Sequence, residues 1–250
     1  MNTLYEVTAI VPAYNAQQYV EQAILSVLGQ TKKCKLILVD DASKDSTLSI
    51  AEKYREQYPE QVQIIAKTKN QGVSAARNDA VRMADTEYVA FLDADDWWSR
   101  EKNELQLAVV KEQGVDACYS GRELISADGE TSKKIVSVPE HVSYEELLKG
   151  NIIPCSSVLI KREIALQYPM EHDELHEDYI TWLMMLKDKV SFVGIDKPLL
   201  KSRLSEDGKS RNKWKSAIMT YKVYRHIGIS APKAMWCFIH YAWNGFKKYL

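Results

Sequence analysis

The sequence predicts an α/β fold with a Rossmann-like, mostly parallel central sheet flanked by helices, followed by an amphipathic helical appendage. Short runs of β-branched and aliphatic residues alternate with amphipathic, helix-length segments through the first hundred residues. Several of these runs end in acidic or polar clusters, and ligands of open α/β sheets bind beyond the carboxyl ends of the strands. The last twenty residues place aromatic and aliphatic side chains on one helical face and lysines on the other.

The first hundred residues predict four strands separated by three helices. Residues 7–11 predict a strand closed by Pro12, and Asn15 is placed to cap the helix that follows. The remaining predicted elements are strand 36–39, helix 48–58, strand 62–65, helix 74–84 and a central strand that begins at residue 88. Alternation at this spacing implies right-handed crossovers and parallel pairing.

The second half predicts a less regular arrangement around the same core. The absence of a Gly/Ser linker or an internal repeat indicates one core with an appendage. In chain order, the predicted elements are helix 101–113, strand 117–120, a hairpin turn at 127–130, a capping box at 143–146, strand 158–160, helix 179–186 and strand 191–195.

Composition excludes several classes of protein. With 46% hydrophobic and 27% charged residues among 250, the chain can bury a sizeable core. The net charge of −1 gives no electrostatic basis for nucleic-acid binding. Four scattered cysteines indicate reduced thiols rather than a zinc site. Because signal-peptide and membrane-spanning patterns are absent, we expect a cytoplasmic location, either free or peripheral on the inner face of the plasma membrane.

The central strand ends in three carboxylates, those of Asp93, Asp95 and Asp96. Clustered carboxylates repel one another and resist joint desolvation. A hard cation with oxygen ligands is one natural partner, because Mg²⁺ binds one or two carboxylates together with waters and substrate phosphates. A solvated acidic loop is the alternative for this stretch.

Polar residues follow three of the predicted strands, at 12–15, 40–41 and 93–96. Each cluster alone fits a structural role as a helix cap, a turn or a solvated loop. Because the carboxyl ends of parallel strands lie at one rim of a sheet, we expect the three clusters to form one shared site.

With these residues in view, the chain resembles inverting glycosyltransferases of family 2, which have the GT-A fold. The similarity runs from about Thr8 to Lys213. It implies a glycosyltransferase domain over 1–213, with a nucleotide-binding half at 1–100 and an acceptor-side half at 101–213, and a C-terminal helical region at 214–250. The matching motifs, in the family's order, are residues 10–15 (IVPAYN), 39–47 (VDDASKDST), 70–78 (NQGVSAARN), 91–96 (FLDADD) and 177–183 (EDYITWL).

The resemblance implies a nucleotide-sugar donor, and a UDP-sugar is the donor that we expect. Tyr14 would lie near the base, and a carboxylate would contact the uracil imide. Arg77 would lie near the nucleotide, with pairing to Asp79 on its own helix as the alternative. The residues assigned to the nucleotide are Pro12, Tyr14, Asn15, Asp40, Asp41, Arg77, Asp93 and Arg203.

The resemblance also implies metal and acceptor roles. Asp95, with Asp93, would bind Mg²⁺ or Mn²⁺ bridging the diphosphate. Asp178 would be the general base, with Glu177 beside it, and a helix N-cap is the structural alternative for Asp178. A second metal site remains open at His172, Asp173, His176 and Glu177.

Arg203 resembles a late basic motif that closes over the diphosphate, together with Lys209 and Arg211. The segment departs from the commoner family form, which carries a histidine after the arginine. Trp97 and Trp98 have two interpretations: one packs in the core or an interface, and the other forms a wall of the sugar or acceptor pocket.

Residues 231–250 predict an amphipathic helix with two open interpretations. Lysines opposite aromatic residues are typical of a helix in a membrane interface. Docking on the protein's own core, or on the partner in a homodimer, is the alternative. The apolar face comprises Met235, Trp236, Phe238, Ile239, Ala242, Trp243, Phe246, Tyr249 and Leu250.

These observations predict a metal-dependent inverting glycosyltransferase. It would move a sugar from a nucleotide sugar to a hydroxyl of a glycan or lipid-linked saccharide in surface polysaccharide synthesis. A leaving diphosphate needs cationic stabilisation, and the attacking hydroxyl needs a base on the opposite face. The alternatives are a non-catalytic nucleotide-sugar-binding or scaffolding module, and a nucleotidyltransferase, although residues 12–15 lack the Gly-rich phosphate loop of that class.

Overall fold

The computed structural model describes residues 5–204 and 213–247. Its strands are β1 (Val7–Ala13), β2 (Lys35–Asp40), β3 (Val62–Ala66), β4 (Tyr88–Phe91), β5 (Trp97–Trp98), β6 (Ala117–Ile125), β7 (Ser132–Val136), β8 (Leu159–Lys161) and β9 (Phe192–Arg203). Its helices are α1 (Val20–Leu28), α2 (Thr47–Gln57), α3 (Val73–Met83), α4 (Lys102–Gln113), α5 (Tyr144–Leu147), α6 (Arg162–Gln167), α7 (Glu177–Lys187), α8 (Lys213–His226) and α9 (Ala231–Lys247).

These strands form one sheet in the order β3-β2-β1-β4-β8-β6-β9-β5, with β7 paired to β6. The strands of the first half, β3, β2, β1 and β4, pair in parallel, as predicted. In the second half β8 runs antiparallel to both of its neighbours, while β6 and β9 are parallel. The α/β fold class is therefore confirmed, and the four parallel strands of the first half carry the first four motifs.

The prediction that Pro12 closes the first strand is wrong, since β1 continues to Ala13. The Ile10 carbonyl accepts a hydrogen bond on the side of β1 that faces β4. The backbone nitrogen of Pro12, two residues further along the strand, points to the same side. Strand β4 ends at Phe91, which pairs with Ile10. Because the neighbouring strand has already ended, the missing N–H of the proline removes no hydrogen bond from the ladder.

Helices cover both faces of the sheet, so the core lies in two layers. Ala9 and Val11 of β1 pack in one layer, with residues of α1, α2 and α4. Ile10 faces the other layer, with residues of α3, α7 and α8. Burial on both faces explains why the first strands read as continuous apolar runs rather than alternating ones.

Helices α8 and α9 pack against each other and against the second core layer. Ala234 and Cys237 are fully buried and join that layer. Docking on the protein's own core is thereby confirmed for one side of α9. Met235, Trp236 and Ile239 of the predicted apolar face are instead exposed, by 49%, 50% and 60%. Tyr249 and Leu250 lie outside the described residues, and among the helices described none is long and apolar enough to cross a membrane.

Candidate active site

The ends of β1 and β2 meet at the predicted rim, where Asp41 N donates to Ala13 O at 2.8 Å. Tyr14 is exposed immediately beyond β1. The prediction that Asn15 caps α1 is wrong, because α1 begins at Val20 and is preceded by Tyr19. Asn15 has a left-handed backbone with φ of 49°.

Asn15 instead joins the loop after β1 to the loop after β2. Its backbone N donates to Ser43 Oγ at 2.9 Å, and its Oδ1 accepts Lys44 N at 2.8 Å. Two loops that are distant in sequence are therefore held together beside Tyr14.

Asp40 and Asp41 are both buried but have different environments. Asp41 accepts backbone hydrogen bonds from Gln71 at 3.0 Å and Gly72 at 2.8 Å, so it holds the turn before α3. Asp40 Oδ2 accepts Ser43 N at 3.2 Å. Its other oxygen, Oδ1, is buried and has no hydrogen-bond partner within the described residues. A buried acceptor without a partner is costly and indicates a place where a ligand donor can bind.

The acidic motif is packed into the site rather than freely solvated. Ser156 Oγ accepts Asp93 N at 3.1 Å and also hydrogen-bonds Asp96, while Asp96 accepts Arg203 N at 2.9 Å. Burial and the neighbouring charge of Asp93 raise the pKa of Asp95 to about 6. Burial and the charges of Asp95 and Asp93 also raise the pKa of Asp96. The solvated-loop alternative is wrong for Asp96, which is buried.

Arg77 connects this motif to the acids at the start of α7. Its Nη2 lies 2.6 Å from Asp93 Oδ1, and its Nη1 lies 3.0 Å from Glu177 Oε1. The alternative pairing with Asp79 is wrong, because Asp79 pairs with Lys67 instead, at 2.8 Å. One guanidinium therefore brings the first motif acid and the start of α7 to the same rim.

Asp178 is the second residue of α7, so the interpretation of Asp178 as the N-cap is wrong; His176 has that position. Its Oδ1 accepts Tyr179 N at 2.7 Å. Burial and the adjacent charge of Glu177 raise the pKa of Asp178 to about 6, against the opposing effects of Arg77 and His176. A carboxyl group with a pKa near the working pH is suited to proton transfer.

The alternative metal site in the segment before α7 is wrong. Within residues 5–204 and 213–247, no group of three or more His, Cys, Asp or Glu side chains is arranged to hold a metal ion. The side chains in question have separate partners: His172 with Glu174, Asp173 with Ser74, His176 with Ser216, and Glu177 with Arg77.

The donor chemistry of the Asp93–Asp95 pair does fit a hard divalent cation. Both side chains are partly accessible, and the raised pKa of Asp95 arises partly from repulsion by Asp93, which a bound cation offsets. Mg²⁺ typically takes one or two carboxylates and fills its remaining positions with waters and substrate phosphates.

Arg203 is held by several segments at once. Its Nε donates to Asp95 O at 3.1 Å, its Nη1 to Ala127 O at 2.8 Å and its Nη2 to Gln22 Oε1 at 2.6 Å. The guanidinium also lies 4.6 Å from the ring centroid of Tyr19 and 5.1 Å from that of Trp97. Arg203 therefore lies against the acidic motif. The predicted roles of Lys209 and Arg211 fall outside the described residues.

Trp97 and Trp98 have different environments, as the two interpretations from the sequence require. Trp98 is buried in the first core layer, and its Nε1 donates to Ser156 O at 2.7 Å. Trp97 is partly exposed beside Arg203. Trp98 thus packs in the core, and the pocket role stays a prediction for Trp97.

Ser156 and Gln22 contact the site but carry no role in the sequence prediction. The polar run at residues 155–157 stands out in the sequence just before β8, which was a usable signal for Ser156. Gln22 lies on an ordinary amphipathic helix, and only the fold shows its contact with Arg203.

Comparison with known proteins shows the family of this chain. The model of glycosyl transferase family 2 matches residues 8–163. The chain belongs to glycosyltransferase family 2. The matched residues include strands β1 to β4, from Thr8 onward, and the acidic motif. The chain is accordingly an enzyme of the glycosyltransferase class.

Two relatives of this family 2 chain match over nearly its whole length. A putative teichuronic acid biosynthesis glycosyltransferase of Bacillus subtilis is 39% identical over 246 residues, covering 98% of this chain and 97% of the relative. A UDP-Glc:alpha-D-GlcNAc-diphosphoundecaprenol beta-1,3-glucosyltransferase of Escherichia coli is 30% identical over 249 residues, covering 98% and 95%.

Solved structures show the same fold at low sequence identity. Residues 1–349 of TarS from S. aureus, in complex with UDP-GlcNAc, match with a TM-score of 0.73 and 18% identity, covering 95% of this chain and 71% of that one. A mannosyltransferase from Pyrobaculum calidifontis, in complex with GDP-Man and Mn²⁺, matches with a TM-score of 0.71 and 19% identity, covering 95% and 73%. The predicted GT-A architecture of this family 2 chain is confirmed.

Proposed function

We propose that this family 2 glycosyltransferase moves a sugar from a UDP-sugar to a hydroxyl of a glycan or lipid-linked saccharide in surface polysaccharide synthesis. The observation that carries the proposal is the position of Arg77, whose guanidinium contacts both Asp93 and Glu177. It brings the donor-side acids and Asp178 to one rim. The named activities of the two full-length relatives, with a UDP-sugar donor and a diphosphoundecaprenol-linked acceptor in one of them, support the substrate classes.

The uridine pocket is proposed at the ends of β1 and β2. Asp40 Oδ1, which lacks a hydrogen-bond partner among residues 5–204 and 213–247, is a suitable acceptor for the imide N–H of uracil. The exposed ring of Tyr14 is placed to stack on the base. Asp41 then supports the pocket indirectly, because its carboxylate is engaged with the backbone of Gln71 and Gly72.

Asp95 and Asp93 are the proposed ligands of Mg²⁺ or Mn²⁺. When bound, the cation supplies electrostatic stabilisation of the diphosphate charge that grows as the sugar leaves. Ser156 orients the motif through Asp93 N and the Asp96 carboxylate. Arg203 is held against Asp95 and Asp96, where its positive charge favours the same diphosphate, and Trp97 beside it is the proposed wall for a sugar ring.

Asp178 is the proposed general base. Its carboxyl group accepts the proton of the acceptor hydroxyl as that oxygen attacks the anomeric carbon, while the bond to the departing UDP breaks on the opposite face of the sugar. Inversion follows from this single displacement. The raised pKa of Asp178, about 6, makes its carboxylate a stronger base than an ordinary aspartate while it stays ionised near neutral pH.

The decisive experiment is UDP release from a panel of UDP-sugars with MnCl₂, for the wild type, Asp95→Asn and Asp178→Asn. We expect each variant to lose turnover by about 100-fold or more, since charge stabilisation and general-base catalysis each contribute at least that much. Asp95→Asn should also abolish the metal-dependent part of UDP binding, whereas Asp178→Asn should bind UDP normally. The matched control is Asp85→Asn, an exposed aspartate paired with Lys35.

Wild-type protein that binds UDP with Mn²⁺ yet releases none from any donor or acceptor would support the non-catalytic binding module instead. Release of pyrophosphate from nucleoside triphosphates would support the nucleotidyltransferase alternative.

The C-terminal helices are the proposed contact with a membrane surface on the inner face of the plasma membrane. After Asp207 the sequence contains nine Lys or Arg residues and no Asp or Glu, whereas the chain as a whole has a net charge of −1. Three apolar side chains are exposed on α9, those of Met235, Trp236 and Ile239. Lys222 of α8 and Lys233 of α9 are also exposed. Basic side chains next to exposed apolar ones suit an anionic lipid surface, where a lipid-linked acceptor is found.

A further inference from the structure

One face of α3 holds the segment that leads into Asp178. Asn78 contacts Met170 twice, with Nδ2 donating to Met170 O at 2.6 Å and Oδ1 accepting Met170 N at 2.9 Å. Ser74 N donates to Asp173 Oδ1 at 2.9 Å, and Ser74 Oγ donates to the same oxygen. The segment 170–177 is therefore anchored on α3 at two points before it reaches α7.

Arg77 lies between these anchors and the acidic motif. Its side chain is only 4% exposed and that of Glu177 is 10% exposed. Charge-assisted hydrogen bonds from a guanidinium are strong and directional, because the donors are fixed in one plane. The spacing between Asp93 and the first residue of α7 is thus set by a rigid, buried group.

Glu177 and Asp178 cannot both face the acceptor. Successive residues of an α-helix point about 100° apart around its axis. The Glu177 carboxylate already points to Arg77 at 3.0 Å. The two adjacent acids therefore have different tasks.

We propose that Arg77 and Glu177 form a brace that positions Asp178 against the acidic motif, which makes Glu177 a positioning residue and leaves Asp178 alone to take the acceptor proton. The inference rests on the proposed function of Asp178 as base. The brace itself is a structural statement and can be tested without turnover.

The activity test compares three variants in the full-length protein, by UDP release from UDP-glucose and UDP-N-acetylglucosamine with MnCl₂. Glu177→Gln keeps an oxygen for Arg77, so we expect turnover to fall by about threefold at most. Glu177→Ala removes the brace and should lower turnover by about 100-fold, since small misplacements of a reacting group have effects of that size. Asp178→Asn should lower turnover by about 100-fold or more, although asparagine has nearly the same shape as aspartate. Equal losses in Glu177→Gln and Asp178→Asn would show that Glu177 is itself a base, and would overturn the proposal.

The second test is amide hydrogen exchange of peptides covering residues 170–180. Glu177→Ala should exchange about tenfold faster than the wild type there, because the segment loses an anchor, while Glu177→Gln should remain close to the wild type. The control is Arg82→Ala, which removes an exposed arginine from α3, the helix that also carries Arg77.

Unchanged exchange in Glu177→Ala would overturn the brace whatever the activity. If Glu177→Ala exchanges faster but the wild type releases no UDP, the result would support the brace and contradict the proposed function.

Discussion

Individual acidic residues in this site have different tasks that their sequence positions do not reveal. Asp40 and Asp41 are adjacent, yet Asp40 Oδ1 has no hydrogen-bond partner in the part of the chain that the structure describes, whereas Asp41 supports the turn at Gly72. Glu177 and Asp178 are adjacent, yet Glu177 pairs with Arg77 while Asp178 accepts the backbone N–H of Tyr179. In both pairs, the geometry at an element's end distinguishes the carboxylate that we propose for ligand contact from the one that supports it.

Asp40→Asn should weaken UDP binding by about tenfold or more, because a hydrogen bond to a charged acceptor is lost. Cytosine has a ring acceptor where uracil has the imide donor, so the wild type should prefer UDP to CDP. An asparagine can donate to cytosine, and the variant should therefore show a smaller preference. Calorimetric titration of both nucleotides with MnCl₂ measures this ratio, and an unchanged ratio would place the uracil imide elsewhere.

The pH dependence of turnover should report Asp178. A base must be deprotonated, so activity should rise with pH through the pKa of about 6 that burial and Glu177 produce. Because the negative charge of Glu177 raises this pKa, Glu177→Gln should move the rise to lower pH. The measurement is the pH profile of turnover at saturating donor. A rise near pH 4 in the wild type, typical of an exposed aspartate, would contradict the buried environment.

At the scale of elements, α3 is the helix on which both halves of the site depend. Asp41 binds the backbone at its start from the proposed nucleotide side, and Asp173 binds Ser74 from the proposed acceptor side. The sequence predicts the helix correctly, since its apolar spacing is regular, but its polar residues resemble an ordinary solvated face. Met170, Asp173 and Glu177, which this helix contacts, lie about a hundred residues away, and no local pattern encodes such contacts.

Gly72 makes this arrangement possible. It has φ of +92°, and a Cβ at this position would overlap the Asp173 carboxylate. We expect Gly72→Ala to lower the free energy of unfolding by about 2 kcal/mol or more and to weaken UDP binding, because backbone strain and loss of the Asp173 contact act together. Gly150→Ala is the matched control, since a Cβ there meets nothing within 4 Å. Chemical denaturation and UDP titration measure the two effects, and equal stability of the two variants would contradict this role of Gly72.

The whole fold was largely predictable because strands buried on both faces leave continuous apolar runs, and their alternation with helices fixes a parallel arrangement. The reversal of β8 was not predictable, since a strand of three residues carries no directional signal. The convergence of the three polar clusters followed from topology alone. Arg203 contacts Gln22 of α1 and Ala127 in the turn between β6 and β7, two segments that are distant from it in sequence, so these contacts required the structure.

The C-terminal charge excess predicts salt-sensitive binding to anionic membranes. The full-length protein should sediment with vesicles containing phosphatidylglycerol and not with phosphatidylcholine alone, and 0.5 M salt should release it because screening weakens the attraction. Ile239→Ser should lower binding, and Ile135→Ser is the matched control because these isoleucines are 60% and 58% exposed.

Equal losses in the two isoleucine variants, or no sedimentation of the wild type, would contradict membrane contact. A dimer in vesicle-free solution that Ile239→Ser converts to a monomer would support the homodimer alternative for this face.

The anchoring of residues 170–177 on α3 has a practical consequence for recombining members of this family. A junction near residue 100, between the two apparent halves of the sequence, would separate Ser74, Arg77 and Asn78 from the loop they hold. A chimera that imports a foreign acceptor half should work only if α3 is transplanted with it, so the cut belongs before Val73.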